Sequence, residues 1–284
     1  MNRFIILDVS NLAYRALHTV GDLVHPDNPE SYTGVIYQLW QTAIQLERHY
    51  ETHNFAFAFD SRKSIRQVAY PPYKQKRKAE REAKEAADLK AKLQRQGMHK
   101  QIDRLPKLLS EIGSVNLFGQ TGYEADDMIA SIVAHNPNNE LVVVSTDSDL
   151  LQLLRPGVTI YNPVSRKEIT DEDFTAKWKI SPIQFSSVKA WEGCTSDNIE
   201  GVPGVGPVTA CKWLNGQIKE GTPKYSLFAD NLEVYTRNKP LVSLPYAGTQ
   251  ANVLKEQPSR LNWNRLAEEI GSNNYVPTGI IDNE

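Results

Sequence analysis

Cysteine is almost absent. Cys194 and Cys211 are the only two in 284 residues, and no CxxC pair occurs. That excludes a disulfide scaffold and a cysteine-rich zinc module, and it predicts a reduced, cytosolic protein. Long apolar runs are also missing: nothing approaches the ~20 residues of a membrane span. The apolar stretch inside MNRFIILDVSNL is short and meets Asp8 too soon for a signal peptide. Histidine is sparse. His18, His25, His49, His53, His99 and His135 show no metal-ligand spacing and read as surface or capping residues.

An excess of charge of one sign is lacking as well, since the net charge is −2. The average hides a division. Residues 74–100 hold ten Lys or Arg against four Asp or Glu, which leaves 22 basic and 30 acidic residues elsewhere. An acidic body with one basic segment suggests a cation site beside an element that binds phosphate. With 40% apolar residues the chain can bury a sizeable core, as one large domain or two small ones.

Three short apolar runs end in acids: FIILDVS (4–10) in Asp8, FAFAFD (55–60) in Asp60, and LVVVSTDSD (141–149) in Asp147 and Asp149. Runs of this kind fit strands buried on both faces. Helical patterns lie between them, at 34–50 and at 128–136, where Ile129, Ile132 and Val133 are helically spaced. The alternation predicts an α/β fold with a central, mainly parallel sheet flanked by helices. Ligands of such sheets sit beyond the carboxyl ends of the strands. Asp8, Asp60 and Asp147 can therefore meet on one edge. The YEADDM segment (123–128) opens the helix before the third strand and can bring Glu124, Asp126 and Asp127 to the same place.

Helix capping accounts for one or two acids in a first turn, at roughly 0.3–1 kcal/mol each. It does not account for acids at three strand ends. So many carboxylates, with so few histidines, suit a hard divalent cation such as Mg2+ or Mn2+. They suggest two ions, as in two-metal phosphodiester hydrolysis. In SIRQVAYPPYKQKRK (64–78), Arg66, Lys74 and Arg77 alternate with Tyr70 and Tyr73. Cations hold phosphates and aromatic rings stack on unpaired bases, so Arg66, Tyr73, Lys74 and Arg77 are candidate nucleic-acid contacts; by itself the segment is equally a solvated basic loop. GVPGVGPVTACKWL (201–214) reads as a glycine-rich hairpin entering a helix, with backbone N–H groups free for a phosphate. Asp197, just before it, can reach back to the metal edge. Residues 74–100 read as an exposed helix or mobile segment, 239–240 and 245–248 as turns, and 271–284 as a loose tail.

These motifs, in this order over residues 3 to 215, resemble the 5′ nucleases: phage 5′→3′ exonucleases, the 5′-nuclease domain of bacterial DNA polymerase I, and the flap endonucleases. Asp8 and Asp60 match the first- and second-strand acids. IRQVAYPPYKQKR (65–77), GYEADD (122–127), TDSDLLQLL (146–154) and SDNIEGVPGVGPVTA (196–210) are similar to the remaining motifs. The resemblance implies a PIN-like α/β nuclease core over 1–183 that carries a basic helical arch at about 74–102. It implies a helical region over 184–270 with a helix–hairpin–helix at about 196–214, and a tail from 271 to 284.

It also implies a catalytic set. Asp8, Asp60, Glu124 and Asp126 would hold one Mg2+, and Asp126, Asp147, Asp149 and Asp197 a second, with Asp127 in the same acidic motif and Mn2+ able to substitute. Lys74 and Arg77 would hold the scissile phosphate. Lys189 matches a basic position of phage members. Gly204, Val205, Gly206, Thr209 and Lys212 would grip duplex DNA, with a K+ at the hairpin. The implied activity is 5′→3′ exonuclease and flap endonuclease action on branched or 5′-single-stranded-tailed DNA, extending to the RNA of RNA–DNA hybrids, in replication or repair. A monomeric, stand-alone, phage-like or bacterial cytoplasmic enzyme with no membrane partner is expected. One position departs from the pattern. The family's usual Gly-Asp before the SDN motif is Gly193-Cys194 here, with Glu192 beside it. The rival readings are a branched-DNA-binding protein that cuts poorly for want of that carboxylate, and a PIN-type ribonuclease. The hairpin and the basic arch argue against the ribonuclease.

Overall fold

The computed structural model describes residues 2–272. Six strands form the central sheet in the order Leu117–Phe118, Phe55–Ala58, Arg3–Asp8, Glu140–Val144, Val158–Asn162, Lys167–Ile169. The first five run parallel and the last is antiparallel to its neighbour. The three strands expected from sequence are adjacent, at second, third and fourth place in this order.

Both faces of that trio are buried, which explains their unbroken apolar runs. Ile5, Leu7, Phe55, Phe57, Val142 and Val144 point to one face, where helices Val9–Thr19, Gly34–Tyr50, Leu89–Glu111 and Trp263–Glu269 cover them. Phe4, Ile6, Ala56, Ala58, Leu141 and Val143 point to the other, under helices Ala125–His135, Phe185–Glu192, Pro207–Leu214 and Pro223–Ala229. Ile6 and Leu7 have no exposed surface; truncating either to alanine costs about 2–5 kcal/mol. Helices Phe185–Glu192, Pro207–Leu214 and Pro223–Ala229 of the 184–270 region share this second core with the sheet, whereas Trp263–Glu269 packs on the first face.

Residues 74–100 fold as an exposed helix, Gln75–Ala87, with no buried residue, followed by a longer helix, Leu89–Glu111. Asp88 makes the break. Its carboxylate accepts from the backbone N–H of Lys90 and Ala91, at 2.8 and 3.2 Å, and so caps the second helix. That helix outruns the charged segment and inserts Leu105, Leu108 and Leu109 into the core.

One expectation for the C-terminal part needs correction. Residues 239–240 are not a turn: Pro240 lies inside helix Leu232–Val242, near its end, and buried Leu241 and Val242 tie that last turn to the core. In the 245–248 segment the chain does turn, with the Thr249 N–H donating to the Tyr246 carbonyl at 3.1 Å. The expected tail lies, from 273 onward, outside the described residues. Residues 250–257 have no regular structure, yet buried amides satisfy several of their backbone groups. Asn116 exchanges two hydrogen bonds with Lys255, both 2.8 Å. Asn136 donates to the Asn252 carbonyl and accepts from the Leu254 N–H, both at 2.9 Å. Among the described residues no helix is long and apolar enough to cross a membrane.

Candidate active site

Parallel pairing puts the carboxyl ends of the three central strands on one edge, and the acids follow from that. Asp8 ends its strand and caps the helix behind it, accepting from Asn11 N–H at 2.9 Å. Its other oxygen accepts from Ser145 at 2.9 Å. Asp60, just past its strand, accepts from Ala125 N–H at 2.7 Å, so the second strand end is tied to the start of the Ala125–His135 helix. Asp147 caps a short 3-10 helix, Ser148–Leu153, and accepts from Asp149 N–H at 2.8 Å.

The acids lie close enough to oppose one another's ionisation. Burial, then Asp60 and Asp147, raise the Asp8 pKa to about 7, although two hydrogen bonds pull it down. Asp126 is pushed well above the carboxylate range by burial and then by Asp147, Asp8, Asp60 and Glu124. Asp60 stays open to water, yet the protein packed around it and Glu124 raise its pKa. Asp149 is raised by burial and by Asp147. A cluster this reluctant to carry its own charge is what a bound divalent cation would relieve.

The cations of the site lie opposite. Lys74 precedes the exposed helix in a left-handed conformation, φ +56°. Its N–H donates to the Asp197 carbonyl at 2.9 Å, and its ammonium reaches Glu124 at 2.7 Å. The basic helix is thereby anchored at the acidic edge. Burial works against the charges of both Lys74 and Glu124, but each overcomes it through the other: the Lys74 pKa is raised and that of Glu124 lowered. Arg77 pairs with Asp197 at 3.2 Å and Lys189 with Asp149 at 3.1 Å. One cleft is lined by Lys74, Arg77, Glu124, Asp126, Asp147, Asp149, Lys189, Cys194 and Asp197. Ligand atoms of Asp149, Cys194 and Asp197 all lie within 4.8 Å of one another.

Four expected roles are not supported. Asp127 is not a metal ligand. Successive helical residues point about 100° apart, so when Asp126 faces the cleft Asp127 faces inward. It has no exposed surface, and both its oxygens accept from Arg66 at 2.7 Å. Arg66 is for the same reason not a DNA contact; it is 2% exposed, and it also donates to the Leu241 carbonyl at 3.0 Å and reaches Glu124 at 3.5 Å. Tyr73 cannot stack on a base, because its ring is buried and its hydroxyl donates to Glu124 at 2.8 Å. Val205 offers DNA no N–H, since that group donates to the Val202 carbonyl at 3.0 Å and its side chain is buried. Gly204, at φ +82° with open space where a Cβ would stand, keeps the hairpin tip accessible, and Lys212 is exposed on the following helix.

Sequence reasoning missed Ser145. It is 1% exposed and joins two of the acids, donating to Asp8 and accepting from Asp147 N–H at 3.1 Å. Nothing in VSTDSD distinguishes it from Ser148. It also missed Leu241, Val242 and Leu244, which close one wall of the cleft from a distant part of the chain.

A family model described as the 5'-3' exonuclease N-terminal resolvase-like domain matches residues 3–179. The chain belongs to this family. Among relatives, DNA polymerase I of Mycobacterium leprae is 33% identical over 218 residues. Those residues are 74% of this chain but 22% of the polymerase, so the chain spans about a fifth of such relatives. A protein named 5'-3' exonuclease from Buchnera aphidicola is 29% identical over 85% of this chain and 76% of its own length. Among solved structures, bacteriophage T5 flap endonuclease, captured as a pseudo-enzyme-product complex with DNA and metal ions, superposes with a TM-score of 0.70. That match covers 95% of this chain and 98% of the phage protein at 22% identity. At that identity it establishes the shared fold: a mainly parallel sheet flanked by helices.

Proposed function

We propose that the protein is a divalent-metal-dependent, structure-specific 5′ nuclease that hydrolyses DNA at single-strand/double-strand junctions. The observation that carries this is the cleft itself, where strand-end carboxylates face Lys74 and Arg77 at the foot of a basic two-helix projection. Family membership and relatives named 5'-3' exonuclease and flap endonuclease support it. The donor set fits hard cations: Asp8, Asp60, Glu124 and Asp126 for one, and Asp126, Asp147, Asp149 and Asp197 for a second. Mg2+ is the expected ion, with Mn2+ substituting. Bound there, the cations would supply an activated water and stabilise charge on the leaving oxygen.

The chain's own groups do the rest. Glu124 holds Lys74, and Asp197 holds Arg77, at the mouth of the cleft, where both can bind the scissile phosphate as charge builds on it. Lys189, held by Asp149, adds a third cation. Helices Gln75–Ala87 and Leu89–Glu111 form the arch for a 5′ single strand. The hairpin at Gly204 and Gly206, with Thr209 and Lys212, contacts the duplex backbone and takes a K+. These contacts read shape and phosphate, not base sequence. Branched DNA, with RNA–DNA hybrids as a second class, and action as a cytoplasmic monomer complete the proposal. No observation favours a binder that cannot cut.

The test is cleavage of a 5′-labelled flap DNA with Mg2+, with Mn2+ and with EDTA, beside binding to the same substrate. Cutting near the junction in metal alone is expected. Asp147→Asn should lower the rate by roughly 10²–10³-fold or more and leave binding within a few-fold. Tight binding with no cutting in either metal would overturn the enzymatic reading, and full activity of the variant would remove Asp147 from the site.

A further inference from the structure

Cys194 lines the cleft. It lies on a two-residue strand, Gly193–Cys194, paired antiparallel with Ile199–Glu200. Gly193 makes that close pairing possible. It adopts φ +80°, and a Cβ there would stand 2.4 Å from the Gly201 nitrogen. The backbone carrying Cys194 is therefore held between the helix end at Glu192 and the Thr195–Asp197 turn. Its sulfur contacts Ser196 Oγ at 3.1 Å and lies within 4.8 Å of carboxylate oxygens of Asp149 and Asp197. Those two carboxylates come from two separate 3-10 turns, Ser148–Leu153 and Thr195–Asp197. Each has a cation, Lys189 or Arg77, balancing part of its charge. Among the described residues no other group of three or more such ligands comes this close together.

We propose that Cys194 Sγ, with Asp149 and Asp197, is a ligand of the second cation position, and that its sulfur makes this position favour softer divalent cations over Mg2+. The proposal rests on the metal-dependent reading above and identifies which ions that reading involves. Mg2+ takes oxygen donors and gains little from sulfur, whereas Co2+, Zn2+ and Cd2+ bind thiolate strongly. As the sulfur–cation bond forms, the thiol proton leaves to solvent, so the group enters the site as an anion.

The test titrates the metal-free full chain with Co2+ under reducing conditions, followed by absorption, and with Cd2+ and Mg2+ by calorimetry. Wild type and Cys211→Ala should show a sulfur-to-cobalt charge-transfer band, and Cys194→Ser should lack it. Cys194→Ser should weaken Cd2+ binding at this site by about tenfold or more and change Mg2+ binding by less than about threefold. Cys194→Asp serves as the second variant should the serine protein fold poorly; it should bind Mg2+ better and Cd2+ worse than wild type. Co2+ binding with no sulfur band, a band lost in Cys211→Ala instead, or equal losses for Cd2+ and Mg2+ would overturn the thiolate proposal and leave the nuclease reading intact. Failure of every divalent cation to bind any variant would overturn that reading itself, and this proposal with it.

Discussion

Asp8 is a carboxylate that is costly to the fold and is proposed as a metal ligand. Its pKa is raised from 3.8 to about 7, chiefly by burial and then by Asp60 and Asp147. The unfolded chain releases this proton near 3.8, whereas the folded, metal-free protein keeps it until about 7. Stability from this group is therefore lost as pH rises through that window. Asp8→Asn should raise the Tm of the metal-free protein, with the gain over wild type growing from pH 4 to pH 7. Saturating Mg2+ should shrink or reverse the gain. Thermal scans across pH, with EDTA and with Mg2+, check this; a gain that is constant with pH would show that Asp8 is not strained. Arg66 is the opposite case, a buried charge fully matched by Asp127. Arg66→Met should leave Asp127 uncompensated and cost about 3–5 kcal/mol, measured by urea unfolding. A much smaller cost would mean that Asp127 takes up a proton or water in its place.

At the scale of elements, the helix Gln75–Ala87 is an outlier. No residue in it is buried, so it contributes nothing to the core, and it is held at its base by Lys74 and along its length by packing beside the following helix. Its amino acids serve charge and shape. A proline at Ala83, in mid-helix, removes a hydrogen bond and breaks the element locally. Ala83→Pro should leave the global unfolding midpoint within about 1 kcal/mol of wild type, because the core is untouched. It should reduce cleavage of 5′-flap DNA far more than hydrolysis of a small phosphodiester. Equal loss on both substrates would place the defect in the cleft and remove the arch from substrate handling. The irregular 250–257 segment also depends on distant partners. Its order comes from Asn116 and Asn136, far away in sequence, and no local pattern announces it.

Taken whole, the molecule separates its charges. Ten basic residues in 74–100 stand over a remainder with 22 basic and 30 acidic. If the protein acts as proposed, this division would draw phosphate to the projection and lead DNA to the cleft from that side. Binding of flap DNA, measured with Ca2+ to block cutting, should weaken steeply with salt. Alanine at Lys76, Lys78, Arg81 and Lys84 together should flatten the log–log slope, by up to about 0.9 for each phosphate that is no longer neutralised. An unchanged slope would mean that the arch does not touch the backbone and that the hairpin side supplies the charge.

Much of this was present in linear order. The three central strands, the acids at their ends, the basic segment and the glycine hairpin are all local features. Strand period, helix period and turn chemistry act over a few residues, and parallel pairing then forces strand ends to one edge. The roles of the individual charges were not local. Asp126 and Asp127 are neighbours of one type, and helix rotation alone sends one to the cleft and the other to Arg66. Arg66 and Tyr73 look like DNA contacts in the chain, but packing against Leu241 and Glu124 buries them. Whether a charge meets water, another charge or a ligand depends on what distant segments put around it, and that follows from how the sheet, the arch and the C-terminal helices pack together.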